Sequence, residues 1–575
     1  MVKLLRFLKP YSALVAATFL LVFLQAVAEL YLPTLMSDIV DVGVVNGDTG
    51  YILRVGGWML LVALGGAVVA VLASYCSSRV AMGMGRDLRQ AVFRHAQGFS
   101  LHEFDRLGTA TLITRTTNDI LQVPNLIIVG LRMMLFAPMM GIGSVVMALS
   151  KDRTLSLIIV VALPVLGAAV GAAAVKAIPM FQAMQKKIDR LNRVVREGLT
   201  GIRVIRAFNR TDYEQERFVD ANRDLTETAI RVNRLMGALM PTLMLIMNLT
   251  AIAVVWFGGL RIDAGRMEVG DLMAFIQYVM HIMFSTMMLS MMFIMLPRAS
   301  ASAARINEVL EMRPSVTDPP EPYSPGTVRG EVEFRNVTYR YPGAERPALE
   351  GISFRARPGE VTAIIGGTGA GKTTLVNLIP RFYDVQEGAV LVDGVDVRQW
   401  RLRDLRAGIG YVPQRAMLFS GTIAANIRFG NEDASDEEVA RAAAIAQAEG
   451  FIAEMKDGYD TAIAQGGTNV SGGQKQRLTI ARALVRKPAI YIFDDNFSAL
   501  DFKTDARLRA ALKPETARST VILVAQRVST VMDADRIIVL DQGRVAGIGT
   551  HRELLQSCEV YREIVASQLA EEELA

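Results

Sequence analysis

A chain of 575 residues is longer than one compact core organises, so two or more domains are predicted. With 51% hydrophobic residues it is more apolar than a soluble enzyme, and a net charge of +5 is too small to mark a nucleic-acid binder. Cys76 and Cys558 lie far apart with no CxxC or Cys/His spacing, which excludes a disulfide framework and a zinc site.

Met1–Tyr11 sets Lys3, Arg6 and Lys9 among Leu4, Leu5, Phe7 and Leu8, the pattern of a short basic amphipathic helix on a membrane surface. Six apolar stretches follow, each long enough to cross about 30 Å of hydrocarbon. They run Ser12–Leu35, Ile52–Ser74, Leu126–Ser150, Leu155–Ala177, Leu235–Leu260 and Leu272–Leu296. The short connections Asp38–Gly50, Lys151–Thr154 and Arg261–Asp271 carry four Lys/Arg together, whereas Arg79–Pro124 carries six Arg and Lys176–Arg234 carries thirteen Lys/Arg. That bias places the long loops, both termini and the second half in the cytoplasm, with the spans in the plasma membrane and lipid as their neighbour.

In the second long loop, Ile188, Leu191, Val194, Val195, Leu199 and Ile202 recur at helical spacing. Both loops are therefore read as helices that carry the spans into the cytoplasm. Each turns at a short polar stretch, Leu101–Gly108 and Asn209–Phe218, where contact with a soluble domain is expected. Methionines crowd the last two spans. Met236 and Met240 on the fifth, with Met280, Met283, Met287 and Met291 on the sixth, are candidates to line a cavity for varied apolar or amphipathic small molecules, since Met is flexible and polarisable. His281 and Arg132, near span ends, are read as interfacial side chains.

Residues 1–310 thus form a membrane domain. A linker follows at 311–330, where Pro314, Pro319, Pro320, Pro322 and Pro325 forbid a helix interior. From 331 to 575 strands and helices alternate. Val361–Ile365 is an apolar, β-branched run, and after it comes Gly366-Gly367-Thr368-Gly369-Ala370-Gly371-Lys372-Thr373, then a helical pattern from Thr374. Strand, glycine-rich loop, helix is the setting of a P-loop. Its main-chain N–H groups turn toward one point, Lys372 reaches the outer phosphates, and the Thr373 hydroxyl faces Mg²⁺. This part binds a nucleoside triphosphate. Ala489–Asp495 is an apolar strand that ends in acid, so Asp494 is expected beside the Mg²⁺. Between these lies Val470-Ser471-Gly472-Gly473-Gln474, a turn that opens a helix and offers a second phosphate clamp. One domain has no evident need of two such clamps; a second subunit does.

These ordered motifs resemble one half-transporter of the ATP-binding cassette exporter family over nearly the whole length. The resemblance implies a membrane domain of six transmembrane helices with long cytoplasmic extensions, followed by an α/β P-loop nucleotide-binding domain. Gly366–Thr373 resembles the Walker A loop, Gln414 the Q-loop residue, Val470–Gln474 the signature and Asp494 the Walker B aspartate. Ser498–Asp501, ending in Asp501, resembles the D-loop, and Tyr341 the aromatic that stacks on adenine. ATP and Mg²⁺ are the implied ligands, with Thr373, Gln414 and Asp494 around the metal and Thr374 at the edge of the nucleotide. Two domains would close head to tail, each ATP lying between one chain's Walker motifs and the other's signature.

Two positions depart from that pattern. Asp495 stands where the family usually has the glutamate that polarises water, and Gln526 where it has the switch histidine. Aspartate is shorter by about 1 Å of reach, and Gln carries no exchangeable positive charge. Gln465, before the signature, replaces a frequent glutamate. A weakened catalytic pair beside a whole signature is similar to the degenerate-site subunit of a heterodimeric multidrug-type exporter, whose partner is a non-identical half-transporter. The alternatives are a self-sufficient homodimeric exporter of lipid, peptide or drug, and a nucleotide-sensing membrane regulator that transports nothing.

Overall fold

The structure, a computed structural model, describes residues 2–498 and 501–568; for Val2, residues 290–295, residue 297 and Phe502 it describes the backbone alone. The chain divides into two compact units, Met1–Gln97 with Ala110–Glu311, and Gly98–Thr109 with Met312–Ala575.

The helices before the linker, in chain order, are α1 (Ser12–Asp38), α2 (Thr49–Gln97), α3 (Leu101–Leu107), α4 (Thr109–Thr114), α5 (Ile120–Lys151), α6 (Leu157–Thr200), α7 (Ile202–Ala207), α8 (Thr211–Asp263) and α9 (Val269–Glu311). Among the described residues six helices are long and apolar enough to cross a membrane. The 49 residues of α2 extend roughly 70 Å at 1.5 Å per residue, more than twice the hydrocarbon thickness. The charged stretch from Arg79 onward makes up much of the excess. Large apolar side chains such as Leu60, Leu61, Val160, Val161, Leu249 and Trp256 stay exposed on α2, α6 and α8, as a lipid-facing or partner-facing surface requires.

Charged pairs tie the first unit at both ends of its apolar section. At one end, Lys151 in the last turn of α5 donates to Asp271 at 2.6 Å, Ser37 donates to the same oxygen at 2.8 Å, and the Gly270 N–H donates to Asp41 at 2.6 Å. At the other, a wide π-helical turn at Arg115–Asp119 leads into α5. It presents buried Asp119 to Arg305 Nε at 2.8 Å and Ser302 Oγ at 3.0 Å. Between these ends Leu155, Ile159, Leu166, Leu243, Phe275, Tyr278 and Ile282 form one apolar core. The N-terminal segment Val2–Tyr11 is 3₁₀-helical, with Leu4 buried.

The polar turns read from the sequence differ in the structure. Leu101–Gly108 is mostly helix α3. Ser100 caps it with a reciprocal capping box to Glu103, and Glu103 also accepts the Ser315 N–H at 3.2 Å. Within Asn209–Phe218 only residues 209 and 210 lie outside helix, and α8 already begins at Thr211. The linker is pinned rather than free: Tyr323 packs edge-on against Trp400 with centroids 5.0 Å apart, and its main chain bonds Gln399 and Arg401.

The second unit holds β1 (Val332–Tyr339), β2 (Leu349–Ala356), β3 (Val361–Gly366), β4 (Glu387–Val392), β5 (Val395–Asp396), β6 (Ile409–Val412), β7 (Gly421–Thr422), β8 (Ala462–Ile463), β9 (Ile490–Asp494), β10 (Thr520–Val524), β11 (Arg536–Asp541) and β12 (Arg544–Gly549). One sheet is β2-β1-β4-β5, and another is β12-β11-β3-β10-β9-β6. In the second, β11, β3, β10, β9 and β6 run parallel and are almost wholly buried, which is why they read as continuous apolar runs. The neighbours β3, β10, β9 and β6 therefore end along one edge.

Candidate nucleotide site

That edge assembles the site. The loop after β3 is the glycine-rich stretch, Gln526 follows β10, Asp494 ends β9 with Asp495 next to it, and Gln414 follows β6. Residues up to 160 positions apart in sequence meet because parallel strands deliver their carboxyl ends side by side.

The loop is held so tightly that side chains are excluded from its floor. A Cβ on Gly366 would lie 2.2 Å from the Leu540 carbonyl oxygen, and Gly371 has φ +95 with the Ala348 oxygen 2.8 Å from where its Cβ would be. Gly367 and Gly369, by contrast, have nothing within 4 Å, so the rim is open. Thr368 and Gly369 are exposed there, and Ala370 is buried. Buried Lys372 donates to the Gly366 and Gly367 carbonyls, each at 2.8 Å. Burial pushes its ammonium pKa down, against the pull of Asp495 and Asp494.

Thr373 donates to Asp494 Oδ1 at 3.1 Å. Asp494 is 1% exposed, its Oδ2 is buried without a hydrogen-bond partner among the described residues, and burial raises its carboxyl pKa to about 6. A hydroxyl and a spare carboxylate oxygen are hard donors that suit Mg²⁺, which takes one or two carboxylates and leaves the remaining positions to phosphate and water. When bound, the ion would neutralise charge on the outer phosphates.

Asp495 sits at φ +49, in the left-handed region, and its Oδ2 accepts from Gln526 Nε2 at 2.8 Å and from Gln414 Nε2 at 3.3 Å. Burial raises its pKa and the amide donors oppose that. Asn496, fully buried, donates to the Pro413 carbonyl at 2.7 Å and so fixes the strand end that carries Gln414.

Tyr341 stands at the edge, its hydroxyl 3.0 Å from Thr374 Oγ1 and its ring edge-on to Tyr339 and Tyr383. Burial, with Tyr341 and Asp105 of α3 nearby, takes the Tyr383 phenol up to about 12. Ser471 caps the helix Gly472–Leu484, with a reciprocal bond to Gln474. Ser471 and Gly472 are exposed; the Gln474 N–H bonds the Ser471 hydroxyl at 3.3 Å, and the N–H groups before it have no acceptor within the helix. Asp501 caps the helix Phe502–Glu515 through the Thr504 N–H at 2.9 Å; the intervening positions 499 and 500 lie outside the described residues. Gln465 is exposed in a 3₁₀ turn before the signature stretch.

The family model described as ABC transporter transmembrane region matches residues 15–287, and the model described as ABC transporter matches residues 349–498. An uncharacterized ABC transporter ATP-binding protein of Mycobacterium tuberculosis is 45% identical over 565 residues, 98% of this chain and 97% of that protein. The chain belongs to the ABC transporter family. An ATP-dependent lipid A-core flippase of Pseudomonas fluorescens is 33% identical, covering 89% of this chain and 85% of its own. The structure of a bacterial Atm1-family ABC exporter with ATP bound is 29% identical with a TM-score of 0.81, covering 97% of this chain and 99% of that one. The protein is thus an ABC exporter half-transporter, with membrane and ATP-binding domains fused in one multi-pass chain, and an ATPase whose turnover is coupled to transport.

Not every sequence candidate keeps its place. Met283 is 1% exposed and packed within the core of α6, α8 and α9, so it fills protein interior rather than lining open space. Met240 and Met280 are exposed, Met236 and Met287 half-buried, and the Met291 side chain lies outside the described residues. The sequence reading also passed over Glu29, a lone carboxylate inside an apolar span, which accepts from Gln25 at 3.2 Å. Its signal was there, since an ionisable residue within a span is costly without a role.

Proposed function

We propose that this ABC exporter subunit works beside a non-identical half-transporter, and that its own nucleotide site binds MgATP but hydrolyses it slowly. Its Ser471–Gln474 turn would clamp the nucleotide held by the partner. The observation that carries this reading is the Asp495 carboxylate. It is one methylene short of a glutamate, and the side chains that bond its Oδ2, Gln526 at 2.8 Å and Gln414 at 3.3 Å, are both amides. Neither Gln526 nor Gln414 exchanges a proton at neutral pH. The grip on phosphate is untouched by these substitutions, because it is built from main chain, Lys372 and Thr373.

The transported class we infer is amphipathic or apolar small molecules. Exposed Met240 and Met280 support it, as does the lipid-directed name of the flippase relative. The charge bias of the loops supports a cytoplasmic ATP-binding domain and a plasma-membrane location.

The test is the purified chain alone in lipid nanodiscs, and then with a half-transporter that carries Glu and His at the equivalent positions. Alone, it should bind ATP with Mg²⁺ and release phosphate very slowly; together, turnover should rise and respond to amphipathic substrates. Rapid hydrolysis by the chain alone, abolished by Asp495→Asn, would show a self-sufficient homodimer instead.

A further inference from the structure

The helix Glu559–Ala566 packs Tyr561 and Val565, both fully buried, against Val528 and Val531. The Tyr561 hydroxyl lies 2.7 Å from His551 Nδ1, which fixes the helix further. Two residues beyond its end, Gln568 turns its side-chain amide onto the segment that carries Gln526. Its Nε2 donates to the Gln526 carbonyl at 2.8 Å, and its Oε1 accepts the Val528 N–H at 2.8 Å. Val528 opens the short helix Val528–Val531, so that N–H has no intrahelical acceptor. An amide that accepts from one residue and donates to the carbonyl two before it does the work of a neighbouring strand. The main chain on either side of Arg527 is thereby held, and Gln526 Nε2 arrives 2.8 Å from Asp495 Oδ2.

We propose that Gln568 is a positioning residue for ATP hydrolysis, acting through Gln526 by clamping the main chain from Gln526 to Val528. The proposal rests on the reading of Gln526 as the residue in the place of the switch histidine, which would meet the γ-phosphate of this chain's own nucleotide. The clamp grips main-chain atoms only. The Gln526 side chain is free to exchange Asp495 for phosphate by rotating about its own bonds, while its Cα stays where the docked C-terminal helix puts it. Without the clamp the loop samples more orientations, and fewer of them aim the amide at phosphate.

The experiment is single-turnover hydrolysis of MgATP by the full chain in nanodiscs, comparing wild type, Gln526→Ala, Gln568→Ala, the double variant and Gln568→Glu. Gln526→Ala should lower the rate. Gln568→Ala should lower it about tenfold with the ATP concentration for half-maximal rate unchanged, as the loss of one or two orienting hydrogen bonds implies. The double variant should be no slower than Gln526→Ala, because residues acting as one unit are not additive. Gln568→Glu keeps the acceptor for Val528 but offers no donor to Gln526, so it should fall between wild type and Gln568→Ala. It carries the same comparison should Gln568→Ala fail to fold. If Gln526→Ala slows hydrolysis while Gln568→Ala leaves it unchanged, weakens ATP binding, or adds to the first loss, the positioning role is overturned and the reading of Gln526 stands. If Gln526→Ala leaves the rate unchanged, that reading is overturned and the proposal with it.

Discussion

Restoring the two departures together, Asp495→Glu with Gln526→His, is expected to raise ATP turnover of the purified chain about a hundredfold. The added methylene extends the carboxylate by about 1 Å, and a misplacement of that size costs about a hundredfold in rate, or roughly 2.7 kcal/mol of barrier. The His replaces an amide that carries no exchangeable proton with a group that exchanges one near neutral pH. A cost accompanies the gain. Residue 495 sits at φ +49, which aspartate tolerates better than glutamate, and the left-handed region costs other residues about 1–2 kcal/mol. The variant should therefore melt lower by about 2–4 °C for each kcal/mol lost. The assay is phosphate release at saturating MgATP, beside each single variant and a melting curve. A double variant that folds, binds ATP and turns over no faster than wild type would refute the argument that carboxylate reach and proton exchange at residue 526 set the rate.

Lys372→Ala should weaken ATP binding ten- to hundredfold, the usual loss for a charged hydrogen-bond donor, read by titration of a fluorescent nucleotide. Tyr341→Ala should weaken it about tenfold through lost base stacking, while Tyr341→Phe, which forfeits only the hydroxyl contact to Thr374, should bind nearly as wild type. Asp494 is held up at about 6 in the folded chain against an unfolded value near 3.8. The folded state therefore binds the proton more tightly, and stability present below pH 4 is lost as pH rises through 6. Without nucleotide and Mg²⁺, Asp494→Asn should show a smaller decline in melting temperature between pH 4 and 7 than wild type.

Much of the architecture is written in local pattern, and what is missing is non-local. The β-branched run before Gly366 and the glycines after it place a phosphate loop without knowledge of the sheet, because each is a short-range signal. Asp494 and Ser471 follow from strand-end and helix-start patterns in the same way. No local signal says that Gln526 and Gln414 converge on one oxygen of Asp495. That depends on the order β3-β10-β9-β6, which sequence spacing does not encode. The clamp from Gln568 is invisible for the same reason. Helix α3 was legible, since Ser100 and Glu103 carry the capping-box spacing, yet the polar composition of Leu101–Gly108 reads as a turn. Met283 shows the limit of stripe arguments, because core and cavity faces of a span are equally apolar.

The floor beneath the phosphates is main chain pressed against main chain, with 2.2 Å between the Leu540 oxygen and the place where any side chain on Gly366 would begin. Heredity has little freedom to edit such a floor, whereas the tips of residues 495 and 526 hang from strand ends and can be exchanged one at a time. A lineage can therefore blunt its cutting edge while its hold on the nucleotide persists, and an inert grip becomes an accessible starting point for dividing labour between two diverging gene copies.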